Sequence, residues 1–288
     1  MPQGSRPIRR VAVIGAGTMG HGIAQVAAMA GYETRLTDTS SDALDGAMSR
    51  IASNLSGAVS RSKMTQKDAD AAIARIATAA DLMASVRDAD LVIEAVAEDL
   101  ATKEQLFRQL DAVVGDAAIL TTNTSSLSIT RLASATRRPE RVVGMHFFNP
   151  VHIMKLVEVI AHPQGDPAVL AVVREAAAQM GKTTILVRDT PGFASSRLGV
   201  VLGLEAMRMV EQGVASAADV DTAMELGYGH PMGPLRLTDL VGLDVRLNIA
   251  EYLHREFQDP KFDPPRILRD KVQRGELGKK AGRGFYEW

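Results

Sequence analysis

An α/β N-terminal domain with a parallel sheet, followed by a mainly α-helical C-terminal domain, is the fold class that the sequence predicts. Three observations predict it. Short β-branched apolar runs alternate with helical patterns up to about residue 188, the order expected of a parallel sheet with crossover helices. A glycine-rich turn joins the first of those runs to the first helix. Beyond Asp189-Thr190-Pro191-Gly192 the pattern changes to long helices with few strand signals, too apolar for a solvated tail. The expected boundaries are 1–188 and 189–288, and 288 residues suffice for two medium domains. Hydrophobic residues make up 46% of the chain and aromatic residues only 4%, so aliphatic and small side chains must fill the core. That suits helices packed on a sheet.

The composition also excludes classes of function. A net charge of −1 offers no basic surface for nucleic acid. The absence of cysteine excludes disulfides, thiolate nucleophiles and cysteine zinc sites, and it fits a reducing cytoplasm, the expected location. No apolar run approaches the roughly 18 to 20 residues of a membrane span. Arg6, Arg9 and Arg10 before Val11-Ala12-Val13-Ile14 imitate the start of a signal peptide. The apolar run is too short for one and leads directly into the glycine turn, so it reads as a first strand.

In chain order, Arg9 to Ile14 is that strand. Gly15-Ala16-Gly17-Thr18-Met19-Gly20 follows, His21 to Ala30 reads as a helix ended by Gly31, and Glu33 to Thr37 is a second strand finishing at Asp38. Strand, glycine turn, helix, strand and acid is the order of a dinucleotide-binding, Rossmann-type unit. Gly15 makes the tight turn, Gly17 lets the backbone approach a pyrophosphate, and Gly20 lets the helix pack closely. The helix N-terminus then faces the phosphate charge. Asp38 stands where a carboxylate would bind the adenosine ribose and repel a 2′-phosphate, which favours NAD over NADP.

Asp42 to Ser60 and Gln66 to Ile73 read as helices, with Arg61 and Lys63 between them as either a solvated helix end or a binding point for a charged substrate tail. A short strand at Ile76 to Ala79 precedes Leu91 to Val96, a buried strand, and its crossover helix Leu100 to Val113. Glu98 and Lys103 lie at that strand's carboxyl end, where ligands of open α/β sheets bind. Ala117 to Thr121 brings Asn123 and Ser125 to the same edge, and Arg141 to Phe147 brings His146 and Asn149. Lys155 to Ile160 is the next strand. A helix follows, opened by Asp166-Pro167 and closed by Gly181, and then a strand from Thr183 to Val187. In the second domain Phe193 to Gln212, Ala217 to Met224 and Leu235 to Phe257 read as helices.

The chemistry concentrates between Thr121 and Ile160. His146 and Glu158 lie on neighbouring strands and can touch. A carboxylate beside an imidazole fixes its tautomer and stabilises its protonated form, which suits a general base near neutral pH. A core histidine with an unrelated glutamate is the bland alternative.

Taken together, these motifs resemble the short-chain L-3-hydroxyacyl-CoA dehydrogenases, especially the bacterial 3-hydroxybutyryl-CoA dehydrogenases. The likeness covers nearly the whole chain. It is carried by Gly15 to Gly20, Asn123-Thr124-Ser125-Ser126-Leu127, His146-Phe147-Phe148-Asn149-Pro150, Lys155-Leu156-Val157-Glu158, Pro191-Gly192-Phe193 and the stretch from Gly278 to Tyr286. The resemblance implies that His146 takes the proton of the C3 hydroxyl while hydride passes to NAD, that Glu158 orients His146, and that Ser125 binds the substrate oxygen. It implies NAD contacts at Gly15, Ala16, Gly17, Thr18, Met19, Gly20, Asp38, Glu98, Lys103, Ser125, Asn149 and Lys280, and coenzyme A contacts at Asn54 and Arg61. The family pattern Pro-Gly-Phe-x-x-Asn-Arg appears as Pro191-Gly192-Phe193-Ala194-Ser195-Ser196-Arg197, so Ser196 takes the place of an active-site asparagine.

No metal is expected, and the implied partner is an acyl-CoA thioester. A homodimer is expected too, because Val200, Val201, Leu204, Met207 and Met209 put many apolar side chains on one helical stretch. Two other functions compete. One keeps the fold and the His–Glu pair but takes a small free hydroxy acid, as gulonate- or carnitine-type dehydrogenases do. The other is a cofactor-binding relative without catalysis, against which an intact Ser125, His146 and Glu158 argue.

Overall fold

A computed structural model describes residues 7–288, and Arg6 lies outside them. The chain divides into two compact units, one ending at Asp189 and the other spanning Thr190–Trp288. The first holds one sheet of eight strands: β1 (Arg10–Ile14), β2 (Glu33–Thr37), β3 (Ile76–Ala79), β4 (Leu91–Glu94), β5 (Ile119–Thr122), β6 (Val142–Phe147), β7 (Leu156–Ala161) and β8 (Thr183–Arg188). Between them run α1 (Gly20–Met29), α2 (Ser41–Ser60), α3 (Gln66–Ala74), α4 (Leu82–Val86), α5 (Leu100–Val113), α6 (Ile129–Ser134) and α7 (Pro167–Gln179).

The strand order is β3-β2-β1-β4-β5-β6-β7-β8. Strands β1 to β6 are parallel, and β7 returns antiparallel along β6 with β8 parallel to it. All six parallel strands therefore end at one edge. The order reverses between β1 and β4, which opens the crevice where open α/β sheets hold ligands. Strands β4, β5 and β6 are buried along their whole length, as central strands covered on both faces must be. Their sequences accordingly show no alternation of apolar and polar residues. Most helices start on a side-chain cap: Ser40, Thr65, Asp81, Asp99, Ser128 and Asp166 each accept a backbone N–H of the first turn.

The turn after β1 depends on glycine. Gly15 has φ +97°, and a Cβ there would stand 2.6 Å from the Ala95 carbonyl oxygen. A Cβ on Gly20 would lie 1.7 Å from the Gly15 carbonyl oxygen, so the close packing at Gly20 is against the turn itself more than against the sheet.

The second unit comprises α8 (Ser195–Glu211), α9 (Ala217–Tyr228), α10 (Pro234–Val241), α11 (Leu243–Phe257) and α12 (Arg266–Gln273). The single helix expected over Leu235 to Phe257 is two. Gly242 breaks it at φ +101°, a conformation closed to other residues at little cost. Helices α4, α6 and α12 were not anticipated, being only five, six and eight residues long.

A second correction concerns the apolar stretch expected to meet a partner chain. Val200, Leu204 and Met207 are fully buried in the unit's own core, with Leu235, Leu243, Leu253 and Phe262, and Val201 and Met209 pack against it. Val200, Leu204 and Met207 are core because α8 is wrapped by α10, α11 and α12, and only the half-buried Val201 and Met209 keep any surface. Asp239, itself fully buried, accepts hydrogen bonds from the backbone N–H groups of Phe285 and Tyr286 and from the Trp288 indole, which fastens residues 285–288 to α10.

Candidate active site

The site is assembled at the carboxyl edge of β1, β2, β4, β5 and β6. The Ala16 N–H donates to Asp38 Oδ2 at 2.8 Å and the Ser40 N–H to Oδ1 at 3.0 Å, so the carboxylate is anchored at the tip of β2 beside the glycine turn. Each oxygen keeps a further lone pair for a ligand hydroxyl. Gly17 and Thr18 are exposed, and the direction of a Gly17 side chain is open space. Met19 precedes α1 without a side-chain cap, unlike the capped helices, so no capping side chain competes with an incoming anion there. Arg50 of α2 donates to the Ala16 carbonyl at 3.1 Å. That cation beside the turn was not singled out in the sequence, since one arginine on a long polar helix carries no signal.

Beside the turn, β4 ends in Glu94, fully buried. It accepts from the Val96 N–H at 2.7 Å and the Thr122 hydroxyl at 2.6 Å, and it is salt-bridged to Lys103. Lys103, expected to touch the cofactor, is only 1% exposed, and its ammonium also lies 3.5 Å from Glu98. It stands behind Glu98 and supports it. Glu98 is the exposed member, and its Oε1 accepts from the Thr124 hydroxyl at 2.5 Å and the Ser125 N–H at 2.9 Å. A chain of charge-assisted bonds thus runs from the end of β4 to Ser125 on the loop after β5. Sequence reasoning passed over Glu94, although an acid ending an apolar strand is the signal that could have found it.

Asn123 ties that loop to the next strand, its Oδ1 accepting the Phe147 N–H at 2.8 Å. One residue earlier is His146, in direct register with Glu158 across the β6–β7 pair. His146 Nδ1 lies 2.8 Å from Glu158 Oε2, with Glu158 fully buried and His146 7% exposed. A carboxylate oxygen can only accept, so Nδ1 carries the proton and Nε2 is left as the acceptor. The Phe148 ring leans on the imidazole at 4.5 Å between centroids. Asn149 is exposed on the following turn. Lys182 holds that turn from below, donating to the Val151 carbonyl and to the Met154 carbonyl at 2.8 Å. Burial pushes its ammonium below the usual lysine range.

The structure thus brings together Gly15 to Gly20, Asp38, Glu98, Ser125, His146, Glu158 and Asn149 at one edge. Asn54 sits apart from them on α2, with its amide donating to Gln25 at 3.0 Å. Arg61, at the end of α2, is exposed with its guanidinium over Gly57. Ser196 and Lys280 belong to the helical unit. Ser196 is the second residue of α8, and Lys280 pairs with Asp244 at 2.6 Å. Among the described residues no cluster of histidines and acids could hold a metal ion, and no helix is long and apolar enough to cross a membrane.

Comparison with known proteins covers both units. Residues 10–190 match the family model described as 3-hydroxyacyl-CoA dehydrogenase, NAD binding domain, and residues 192–288 match the C-terminal domain of the same description. A 3-hydroxybutyryl-CoA dehydrogenase of Mycobacterium tuberculosis is 45% identical over 99% of this chain and 100% of its own length. A mitochondrial hydroxyacyl-coenzyme A dehydrogenase of Homo sapiens is 40% identical over 98% of this chain and 91% of its own. The crystal structure of (S)-3-hydroxybutyryl-CoA dehydrogenase PaaH1 from Ralstonia eutropha, 41% identical, superimposes with a TM-score of 0.94 over 98% of this chain and 99% of that one.

The buried pair below Ser125 yields a prediction. Glu94→Leu removes the nearer counter-charge of Lys103 and strands its ammonium in the interior, which should lower stability by about 3–5 kcal/mol. The double variant Glu94→Leu with Lys103→Met, which buries no charge, should recover at least half of that loss. Urea unfolding of the three proteins measures both values.

Proposed function

The chain belongs to the 3-hydroxyacyl-CoA dehydrogenase family, and we propose that it interconverts (S)-3-hydroxybutyryl-CoA and acetoacetyl-CoA with NAD, His146 handling the proton. The observation that carries this reading is the buried 2.8 Å contact between His146 Nδ1 and Glu158, which makes Nδ1 the donor and Nε2 the basic nitrogen of the neutral imidazole. In the oxidative direction Nε2 takes the C3 hydroxyl proton, and the imidazolium so formed lies against the Glu158 carboxylate. In the reverse direction the imidazolium returns it. Ser125 binds the substrate oxygen, and Glu98 fixes the Ser125 backbone to do so.

The glycine turn fits a dinucleotide: the face of Gly17 is open, the first turn of α1 is uncapped, and Asp38 is anchored beside it. NAD, when bound, supplies the hydride acceptor. Asp38 holds the adenosine ribose and disfavours a 2′-phosphate, which makes NAD the cofactor rather than NADP. Asn54 and Arg61 of α2 meet the coenzyme A tail, whose phosphates suit an exposed guanidinium. Ser196 offers one hydroxyl where the family pattern has an amide, so it contributes to placing the substrate but does not carry the proton. A cysteine-free composition supports a cytoplasmic site of action.

We also read the enzyme as a homodimer, on side chains other than those of the sequence argument. Leu198 and Leu202 of α8, Leu237, Leu240 and Val241 of α10, and Val245 of α11 are all exposed. Six large aliphatic side chains on packed helices of one unit are more than isolated surface residues.

Acetoacetyl-CoA reduction, followed with NADH and NADPH side by side, tests the reading directly. His146→Gln should lower kcat by about 10²–10⁴ with NADH binding unchanged, and near-normal turnover would refute the role. Asp38→Ser should weaken NADH binding and narrow the preference over NADPH; a wild type that already prefers NADPH would reverse the assignment. Light scattering at micromolar concentration should give twice the mass of one chain, and a monomer would reject the dimer.

A further inference from the structure

The helical unit contains a charge that nothing in it balances. Arg246, in the first turn of α11, is 6% exposed, and its guanidinium makes no hydrogen bond or ion pair with any described residue. Its Nε is buried without an acceptor. Burial alone pushes the guanidinium down to about 10. An isolated buried charge costs several kcal/mol, so proteins pair such groups or use them.

The surroundings are short of side chains on one side of the guanidinium. Two glycines of α8 face the guanidinium: a Cβ on Gly199 would lie 3.5 Å from Arg246 Nη1, and one on Gly203 would lie 3.9 Å from Nε. The same point above Gly203 is 3.1 Å from the Thr238 hydroxyl of α10, which is also fully buried and without a partner. Two unsatisfied groups able to donate therefore share one neighbourhood, next to a helix stripped of side chains there. Polar groups this well buried normally have partners, and what this pair lacks is an acceptor. A single negative charge would balance the single guanidinium. A phosphate dianion would leave excess charge in an apolar place, whereas a carboxylate matches the planar fork in shape and charge.

We propose that Arg246, with Thr238 beside Gly199 and Gly203, forms an anion subsite in the helical unit that takes one carboxylate group. The carboxylate belongs either to the far end of an acyl-CoA substrate or to a free small acid. Only the first of these rests on the dehydrogenase reading.

Thermal unfolding of the full chain with sodium glutarate, against sodium chloride at equal ionic strength, tests the subsite without turnover. Tm should rise saturably with glutarate by several degrees. The rise should be absent in Arg246→Leu and reduced in Arg246→Lys, which keeps the charge but loses the fork. Without added acid, Arg246→Leu should melt at or above the wild type, since it removes an unpaired charge. A wild type indifferent to glutarate overturns the proposal; an Arg246→Leu that also melts lower would then place the acceptor on a second copy of the chain.

The source of the carboxylate follows from kcat/KM for 3-oxoadipyl-CoA against 3-oxohexanoyl-CoA, which differ at the far end of the same six-carbon chain. At least a tenfold preference for the former, lost in Arg246→Leu, assigns the subsite to the substrate. Equal rates beside an intact glutarate effect assign it to a free acid. A glutarate effect with neither of these thioesters nor acetoacetyl-CoA turned over supports the subsite while refuting the proposed activity.

Discussion

A carboxylate with no access to water has to be surrounded by donors, and at the end of β4 that requirement organises the neighbourhood. Glu94 gathers the Lys103 ammonium from α5, the Thr122 hydroxyl from β5 and the Val96 N–H from its own loop. Three elements are thereby locked at one point. Lys103 then reaches Glu98, and Glu98 takes the Thr124 hydroxyl and the Ser125 N–H. The position of Ser125 is in this sense inherited from a charge buried several bonds away. Such a network is costly to assemble and costly to break, which rigidifies a loop that would otherwise be free to vary.

The histidine is placed by a different device. Parallel strands bring residues to a common edge, but they do not bring a buried counter-charge to the side of an imidazole. The antiparallel return of β7 does, because its register sets Glu158 directly opposite His146 with both side chains on one face. Asn123 then binds the N–H of Phe147, so the β5 loop and the end of β6 cannot separate. The His146–Glu158 pair and the Ser125 loop are therefore referenced to the same pair of strands.

Much of this was legible in the sequence. The glycine turn, Asp38 and the alternation of apolar runs with helices announce the first unit, because backbone geometry and burial constrain residue type there at every step. His146 and Glu158 could be paired from the strand pattern alone. Less legible were features set by tertiary contact. Lys103 looks like a surface lysine on an amphipathic helix, and only the fold shows its ammonium enclosed by Glu94 and Glu98. The run from Val200 to Met209 is equally apolar whether it faces a partner or a core, and the packing of α10, α11 and α12 decided for the core. The interruption at Gly242 was hidden because helical periodicity continues on both sides of it. Arg246 carries no pattern at all, since its interest lies in what surrounds it.

Asp239 has a consequence for how the chain is made. Its carboxylate is buried in α10, yet the donors that answer it come from Phe285, Tyr286 and Trp288, 46 to 49 residues later. During synthesis α10 leaves the ribosome 46 to 49 residues before those donors do. The helical unit is then an open structure with an unanswered negative charge in its middle. It can close only when residues 285–288 emerge, so the first unit has its whole sheet available to fold while the second waits. Biogenesis is thereby split into two stages, with the second gated by a few residues far downstream of the carboxylate they answer.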